Sequence, residues 1–424
     1  MTGPGLTDTM DVDGLLGAIG VLTEAPTPRG DERQTAYALA EWAGRRWPAL
    51  SFTVDEMGSG GANLVCCVRA PSRDDLLVYS HLDTSLTGIG SADHDVTGSW
   101  ADAPVGFTRR GDAVSAFGLG VARGPAAAAL IGFVRAATAL PSSAPRSLRL
   151  VLAGGGTHEN TLGEHPGPAG EAYSGLERHL EVYPSPGAAL VAKCGPPGVL
   201  WEEPGAGYLR IRVSGRRGAV LSRDRARPPG GLPVHIGAMC AAFEDWRHRL
   251  TRSAHREGQI GREAGIGAVR TGSVRKPDLL PAHVDLYVYL ITLPGDVVAD
   301  LAADLCSAMA RAFAGGPLAG CTVAVELTTP QAAGVTPHDS VFVNTAREVW
   351  QSHHGRCAPE VTGWTGSTDG ALLRATGVET VRTGPVSVAD DNDADRDVLR
   401  VSELMRFAHI YADIGGRWAA GEKR

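Results

Sequence analysis

Several features of membrane, secreted and nucleic-acid-binding proteins are absent from this sequence. No stretch approaches the roughly 18 consecutive apolar residues of a membrane span, and the N-terminus MTGPGLTDTMDVDG lacks the basic and apolar regions of a signal peptide. The net charge of −7 comes without any block of basic residues, which argues against a nucleic-acid partner. We therefore expect a cytoplasmic protein that has neither a membrane nor a nucleic acid as its partner.

Paired cysteines are missing as well. The seven cysteines are odd in number and scattered, without a C-x-x-C pair, at positions 66, 67, 194, 240, 306, 321 and 357. This distribution excludes a disulfide-stapled fold and a structural zinc site of the usual spacing. We expect the thiols to be reduced.

The sequence does contain the pattern of a two-domain α/β protein. With 424 residues, of which 43% are apolar and 21% charged, the chain is too long for one small core. Apolar residues recur at helical spacing over 31–47 and 124–140, while the apolar runs at 62–68, 76–79 and 148–153 are short and strand-like. The alternation of helices and strands predicts a sheet covered by helices.

A second unit is predicted inside the first. Between 206 and 328 the chain alternates strand-like and helical segments, in the order YLRIRVSG, 232–250, HVDLYVYLITL, 296–314 and CTVAVELTT. The first pattern then resumes, with helices at 338–353 and 401–417. We predict an α/β domain formed by 1–205 and 329–424, into which an α+β sandwich formed by 206–328 is inserted.

Several segments resemble the motifs of one enzyme family, in the same order along the chain. The strand LLVYSHLDTS is similar to a strand that ends in the metal motif His-x-Asp, and further matches are WADAPVGF, FGLGVARG and GWTGSTDGALLRATG. The family is that of the two-zinc amidohydrolases and metallopeptidases, which includes aminoacylase, acetylornithine deacetylase, succinyl-diaminopimelate desuccinylase and glutamate carboxypeptidase. The resemblance implies an α/β, zinc-exopeptidase-like catalytic domain with a mixed sheet flanked by helices, plus an inserted lid and dimerisation domain.

The same resemblance implies that most of the family's zinc ligands are replaced in this chain. His81 matches a ligand, and Asp83 matches the carboxylate that orients it. The bridging aspartate falls on Arg123, whose guanidinium has no lone pair to give. The other ligand and general-base positions fall on Gly156 and Thr157, on Cys194 or Gly195, and on Asn392. A two-zinc hydrolase is therefore not expected, and no cofactor is predicted.

The candidate site combines the retained pair with other polar residues. His81 and Asp83 would move a proton, and His158 and Glu159 are further catalytic candidates. Substrate binding is assigned to residues expected around the carboxyl ends of the strands, namely Arg123, Lys193, Thr368, Asp369 and Asn392. Arg123 would clamp a substrate anion or neutralise Asp83.

Two alternative interpretations of these residues stay open at this point. His81 and Asp83 also fit an inherited structural pair, in which a histidine at a strand end is bonded to an aspartate without catalysing anything. A remodelled single-zinc site formed by His81, His158 and either Glu159 or Asp391 is the other alternative.

The sequence predicts a metal-independent enzyme with a metallopeptidase-like fold, acting on an amide, an acyl-amino acid or a peptidyl substrate. Acyl transfer, condensation and cyclisation would suit such a site as well as hydrolysis does, in a specialised biosynthetic pathway. The alternative is a non-catalytic protein that binds a ligand or partner, because two lid residues that the family uses on substrate fall on Ala219 and Ile291. We also expect a homodimer formed through the lid domain.

Overall fold

The computed structural model describes residues 6–162, 174–252, 258–328, 330–390 and 393–421. Within these ranges the chain forms ten α-helices: α1 (Leu6–Thr23), α2 (Arg33–Arg46), α3 (Gly90–Thr97), α4 (Gly124–Ala139), α5 (Gly175–Val182), α6 (Ile236–Arg252), α7 (Val298–Phe313), α8 (Val341–His354), α9 (Gly370–Ala375) and α10 (Val401–Ala419). Two 3-10 helices cover Val220–Arg225 and Leu232–His235, and a π-helical turn covers Leu119–Arg123.

The strands of the same ranges number eighteen. They are β1 (Phe52–Met57), β2 (Gly61–Cys67), β3 (Asp75–His81), β4 (Phe107–Arg110), β5 (Ala113–Ala116), β6 (Ser147–Ala153), β7 (Ala188–Ala192), β8 (Glu202–Glu203), β9 (Gly205–Ser214), β10 (Gly218–Ala219), β11 (Glu263–Thr271), β12 (Leu279–Leu280), β13 (His283–Thr292), β14 (Thr322–Leu327), β15 (Gly334–Val335), β16 (Glu379–Thr383), β17 (Val388–Asp390) and β18 (Asp393–Arg400).

A mixed sheet of six strands forms the centre of the larger unit, in the order β1-β2-β6-β3-β7-β16. β3, β6, β7 and β16 run parallel, whereas β1 and β2 are antiparallel additions at one edge. Every residue of β3, β6 and β7 is buried, as expected for strands that carry helices on both faces. The carboxyl ends of β3 and β7 are neighbours, which brings the residues that follow them together.

The two faces of this sheet belong to different hydrophobic clusters. Alternate residues such as Leu76 and Val78 pack into the cluster that contains residues of α1, α2, α4, α8 and α10. Leu77 and Tyr79 point the other way, toward Leu176 of α5 and Leu373 of α9. Because the side chains of a strand alternate, His81 lies on the same face as Tyr79. The predicted fold class, a mixed sheet flanked by helices, is confirmed.

The smaller unit is a four-stranded antiparallel sheet in the order β11-β13-β9-β14, packed against α6 and α7. Residues Leu209, Ile211 and Val213 of β9 face the helices and are buried, so Tyr208 lies on the opposite face. Tyr208 is paired in register with Tyr289 of β13. This unit has its own hydrophobic cluster, while the division of the chain at 205/206 and 328/329 stays a prediction.

A third sheet has no counterpart in the patterns of the sequence, and neither have the helices α1, α3, α5 and α9. The sheet is antiparallel, in the order β17-β18-β5-β4. Among the described residues, one helical stretch, 119–139, is long and apolar enough to cross a membrane by length and composition, and 89% of its most apolar window is buried. α4, which forms most of that stretch, is buried in the cluster that also contains β3 and α10, so its apolar character is that of a core helix.

Candidate functional site

His81, the last residue of β3, is held by the residues that follow it. Its Nδ1 lies 3.0 Å from the carbonyl oxygen of Asp83 and 3.2 Å from Asp83 Oδ1. A backbone carbonyl oxygen and an ionised carboxylate oxygen can only accept hydrogen bonds. We therefore assign the ring proton to Nδ1, which donates to both. The other nitrogen, Nε2, is buried and has no hydrogen-bond partner among the described residues. His81 therefore presents an unused lone pair at the end of the sheet.

The conformation of this corner depends on a residue without a side chain. A Cβ atom added to Gly156 would lie 2.4 Å from His81 Cβ and 2.7 Å from His81 Cγ. Real Cβ atoms do not approach so closely, hence the backbone at position 156 can lie against the imidazole only when that residue is glycine. This corner of the site therefore requires glycine at position 156.

Asp83 is buried and fixed by several donors. Its Oδ1 accepts from the amide of Gly156 at 2.8 Å, and Oδ2 accepts from the amide of Thr157 at 2.8 Å and from the Thr157 hydroxyl. Burial alone would raise the pKa of Asp83, but His81, Thr157 and the Gly156 amide outweigh it and hold the pKa well below its ordinary value. Asp83 is therefore an anion that orients His81.

Lys193 directly follows β7 and contributes a cation to the site. Burial lowers its pKa to about 8, and the nearby guanidinium of Arg382 acts in the same direction, while Asp369, Asp83 and Glu203 oppose it. No hydrogen bond or ion pair joins its ammonium group to any residue that the structure describes. Burial and the charge of Lys193 also lower the pKa of His81, so the imidazole is neutral at pH 7.

Asp369 forms the opposite side of the site. One of its oxygens, Oδ2, accepts a hydrogen bond of 2.6 Å from the hydroxyl of Tyr79, which lies in β3 two residues before His81. Burial raises the pKa of Asp369 to about 7, against the lowering effects of Tyr79 and Lys193. A carboxyl group of that pKa can accept or donate a proton near neutral pH.

His158 connects the site to the smaller unit. The Tyr208 hydroxyl donates to the His158 carbonyl at 3.2 Å, and Tyr289 Oη lies 3.5 Å from His158 Nδ1 with the two rings edge to face. Burial lowers the pKa of His158 to about 4, and Lys193 adds to the effect. His158 is thus a neutral ring held between the two units.

A cavity of about 400 Å³ opens beside these residues. It is lined among others by Arg29, Thr157, His158, Glu159, Tyr208 and Asp369. We call this cavity the central cleft. Arg29 and Glu159 form an ion pair across its wall, with 3.6 Å between Nη1 and Oε2. Three of the predicted residues, His158, Glu159 and Asp369, line this cleft. His81, Asp83 and Lys193 lie beside it, after the carboxyl ends of the parallel strands β3 and β7 or at those ends.

Arg123 is the predicted site residue that the structure places elsewhere. Its guanidinium is buried and donates to the carbonyls of Phe117 and Ala25, at 3.1 and 2.8 Å, and to the hydroxyl of Thr27. None of these acceptors lines the central cleft. The turn that precedes α4 directs the Arg123 side chain toward the loop at 25–27, so the structure does not bring it together with the residues that line the central cleft, where it was predicted to bind substrate or neutralise Asp83.

The side chain of Thr368 is also hydrogen-bonded within the protein. Its hydroxyl donates to Glu203 at 2.8 Å, and Glu203 is further bound by Arg374 and Arg382 at 3.1 and 2.9 Å. All four side chains are buried. The Thr368 hydroxyl thus fixes the turn that presents Asp369, and a contact between Thr368 and substrate stays a prediction. Asn392, the remaining predicted residue, lies outside the described residues, as does Asp391.

Sequence reasoning missed several residues of the site. Tyr79 had a signal, because alternation along β3 places it on the face of His81. Arg29, Tyr208 and Tyr289 come from distant segments and carried no local signal. Glu32 lies within electrostatic range of Asp83. It is buried and accepts from the amides of Gly30 and Gly155 at 2.8 and 2.9 Å, and burial is the main reason that its pKa is raised to about 7.

The residues at this site do not fit a zinc centre. Zinc needs three or four N, O or S donors, and no group of three histidine, cysteine, aspartate or glutamate side chains that could hold a metal occurs in the described part of the chain. His81 Nε2 has a free lone pair, but the neighbouring charge is the Lys193 ammonium, which repels a cation. His81, His158 and Glu159 are therefore not gathered as a single-zinc site.

Comparison with known proteins identifies the architecture. No protein-family model matches the chain, and no curated protein matches it. Aminopeptidase PepT from Bacillus cereus is 15% identical, with a TM-score of 0.65 over 96% of this chain and 99% of its own. The M20 family metallo-carboxypeptidase Sso-CP2 from Sulfolobus solfataricus is 12% identical, with a TM-score of 0.68 over 96% and 99%.

A third similar structure comes from a eukaryote. The di-peptidase Dug1p from Saccharomyces cerevisiae is 11% identical, with a TM-score of 0.66 over 97% of this chain and 98% of its own. At these identities the likeness concerns the fold, and it extends over nearly the whole length of each protein. The resemblance predicted from the sequence motifs is confirmed at that level: the chain has the fold of the M20 metallopeptidases.

Proposed function

We propose that this protein is a metal-independent enzyme that acts on an amide, an acyl-amino acid or a peptidyl substrate in the central cleft. One observation carries the proposal: a neutral His81 with an unused Nε2 lone pair lies within electrostatic range of Lys193, whose ammonium has no partner among the described residues. A base and a cation that are both unoccupied are the two groups that acyl chemistry requires.

His81 is the proposed base. Its Nδ1 proton is held by Asp83, which fixes the tautomer and stabilises the imidazolium that forms when Nε2 takes a proton. In hydrolysis, Nε2 removes a proton from water while the water oxygen bonds to the carbonyl carbon. The imidazolium then gives that proton to the leaving nitrogen as the C–N bond breaks, so the products are a carboxylic acid and an amine.

Lys193 is the proposed electrophilic group. As the carbonyl carbon becomes tetrahedral, its oxygen gains negative charge, which an ammonium in a partly buried position stabilises more than it would in water. The same bonds form and break, and the same proton is moved, when the nucleophile is an amine or a hydroxyl group instead of water. Condensation, cyclisation and acyl transfer are therefore included in the proposal, and a role in specialised biosynthesis would follow from them.

The experiment uses the full-length protein, purified without chelator, and a panel of N-acyl amino acids and dipeptides. Metal content is measured by plasma mass spectrometry, and turnover is followed with and without EDTA. We expect turnover that EDTA does not reduce, and a loss of about 10²- to 10⁴-fold in kcat/KM for His81→Asn. His353→Asn is the matched control, because His353 lies on α8 and pairs with Asp413.

Two results would contradict the proposal. Near two zinc ions per chain, with turnover that is lost in EDTA and restored by zinc, would restore a conventional amidohydrolase. Full activity of His81→Asn would remove the proposed base.

A non-catalytic binding protein is the second candidate. It is favoured by Ile291, which is 4% exposed, and by Ala219, two positions where the resemblance implies substrate contacts. For this candidate, titration calorimetry would show binding of an intact acyl-amino acid or dipeptide, and mass spectrometry would find no product after prolonged incubation with the wild-type protein.

A further inference from the structure

Lysine is rare in this chain and arginine is not. Of the 40 lysines and arginines, three are lysines, namely Lys193, Lys276 and Lys423. Lys276 is exposed and pairs with Asp278 at 3.1 Å, while Lys423 lies outside the described residues. A chain that uses arginine for nearly every positive charge has kept lysine next to the central cleft.

The buried arginines of the described residues are each held by several hydrogen bonds within the fold. Within the described ranges, four arginines are less than 9% exposed, and each donates to at least three acceptors: Arg123, Arg149, Arg374 and Arg382. Lys193 differs from all of them, since no hydrogen bond or ion pair joins its ammonium to a described residue. A structural role would be served better by the planar, multidentate guanidinium.

The chemistry that distinguishes lysine from arginine is that of a primary amine. A lysine amine can lose its proton within the physiological range and then attack a carbonyl carbon, whereas a guanidinium stays protonated. Lys193 is partly exposed and directly follows the parallel strand β7. It does not itself line the central cleft, but it lies within electrostatic range of Asp369, which does. Asp369, whose pKa burial raises to about 7, and the neutral imidazole of His81 lie within electrostatic range of it.

We infer that Lys193 is a reactive amine that forms an imine with a small aldehyde or α-keto acid at the edge of the central cleft. The Nζ lone pair bonds to the carbonyl carbon and one N–H proton passes to the oxygen, which gives a carbinolamine. The second N–H proton then follows, the C–O bond breaks and water leaves, so the C=N bond forms without an oxidant or a reductant. Asp369 and His81 are placed to relay these protons.

The inference goes beyond the proposed amide chemistry and can fail separately from it. Amide turnover uses the ammonium form of Lys193 and requires His81 as base. Imine formation uses the neutral amine and needs no amide substrate.

The test is reductive trapping on the intact protein. Glyoxylate and sodium borohydride are added at about pH 8, and the carboxymethyl adduct on each lysine is counted by peptide mass spectrometry. We expect Lys193 to be labelled about ten-fold faster than Lys276, because a lower pKa leaves far more of the amine neutral. The Lys193 rate should level off above pH 8, while the Lys276 rate keeps rising.

Two variants and one unfolded sample make the test decisive. Lys193→Arg keeps the charge and must abolish the fast adduct, whereas Lys276→Arg must leave it unchanged. In denaturant the preference for Lys193 should disappear. Labelling that is spread over Lys276, Lys423 and the terminal amine of the folded protein, with Lys193 unmodified, would overturn the inference. The groups that set the Lys193 pKa in this test are Arg382, Asp369, Asp83 and Glu203.

Discussion

The two ends of strand β3 carry polar clusters that differ in whether the cation is hydrogen-bonded. At the amino end, all three nitrogens of Arg149 donate, to Asp75, to His179 and to backbone carbonyls, with 2.9 Å between Nη2 and Asp75 Oδ2. At the carboxyl end, His81 Nε2 is without a partner among the described residues, and so is the ammonium of Lys193.

The difference distinguishes polar groups that stabilise the fold from polar groups that are available to a ligand. A buried charge that is paired and hydrogen-bonded fixes the position of its neighbours and has no capacity left for a ligand. A buried base and a cation without partners cost stability, and they persist where something other than stability requires them. On that criterion the candidate functional site lies at the carboxyl end of β3, whereas the polar cluster at the amino end stabilises the fold.

The largest expected effect comes from replacing the cation at each end by methionine. Arg149→Met leaves Asp75 buried without a counterion, and we expect it to lower the free energy of unfolding by about 3 to 5 kcal/mol. Lys193→Met removes a cation that has no partner, so its effect should be about 1 kcal/mol or less and should stabilise. Urea denaturation followed by circular dichroism measures both, and Arg178→Met, in an exposed pair with Glu181, is the control.

Equal destabilisation by Arg149→Met and Lys193→Met would mean that both ends of β3 are structural. The comparison, and with it the choice of the carboxyl end as the site, would then fail.

A smaller effect is expected from crowding His81. Gly156→Ala places a methyl group against the imidazole, and overpacking of this kind costs about 1 to 3 kcal/mol. Gly44→Ala is the matched control, because a Cβ there meets nothing within 4 Å inside helix α2, and alanine should stabilise that helix slightly. Thermal unfolding compares the two, and a Gly156→Ala protein as stable as wild type would show that the corner is looser than the structure indicates.

The smallest effect is a pH dependence caused by Glu32, whose pKa rises on folding from 4.5 to about 7. Between these values the folded chain binds more protons than the unfolded chain, so the free energy of unfolding falls as the pH rises. Glu32→Gln keeps an acceptor for the amides of Gly30 and Gly155, and should flatten this slope. We expect a difference on the order of 1 kcal/mol between pH 5 and pH 7.5 in urea titrations. Parallel curves for both proteins would contradict it.

The sequence was a reliable guide where a residue's position follows from its own strand. The resemblance of the segment around His81 to the family's His-x-Asp motif implied that Asp83 orients His81, and the structure joins the two by hydrogen bonds. Lys193 was placed at a strand end, and it follows β7. Arg123 and Thr368 were placed on the correct turns, but their side chains point toward partners that the sequence did not show.

The sequence by itself indicated the main helices and strands and, through the resemblance of its motifs, the fold, because periodicity and local motifs are properties of neighbouring residues. The tertiary structure decided which polar groups are satisfied and which are not. Arg149 finds His179 and Arg374 finds Glu203 across long separations in the chain, whereas Lys193 finds no such partner in the described residues. That distinction depends on packing between distant segments, which no local pattern encodes.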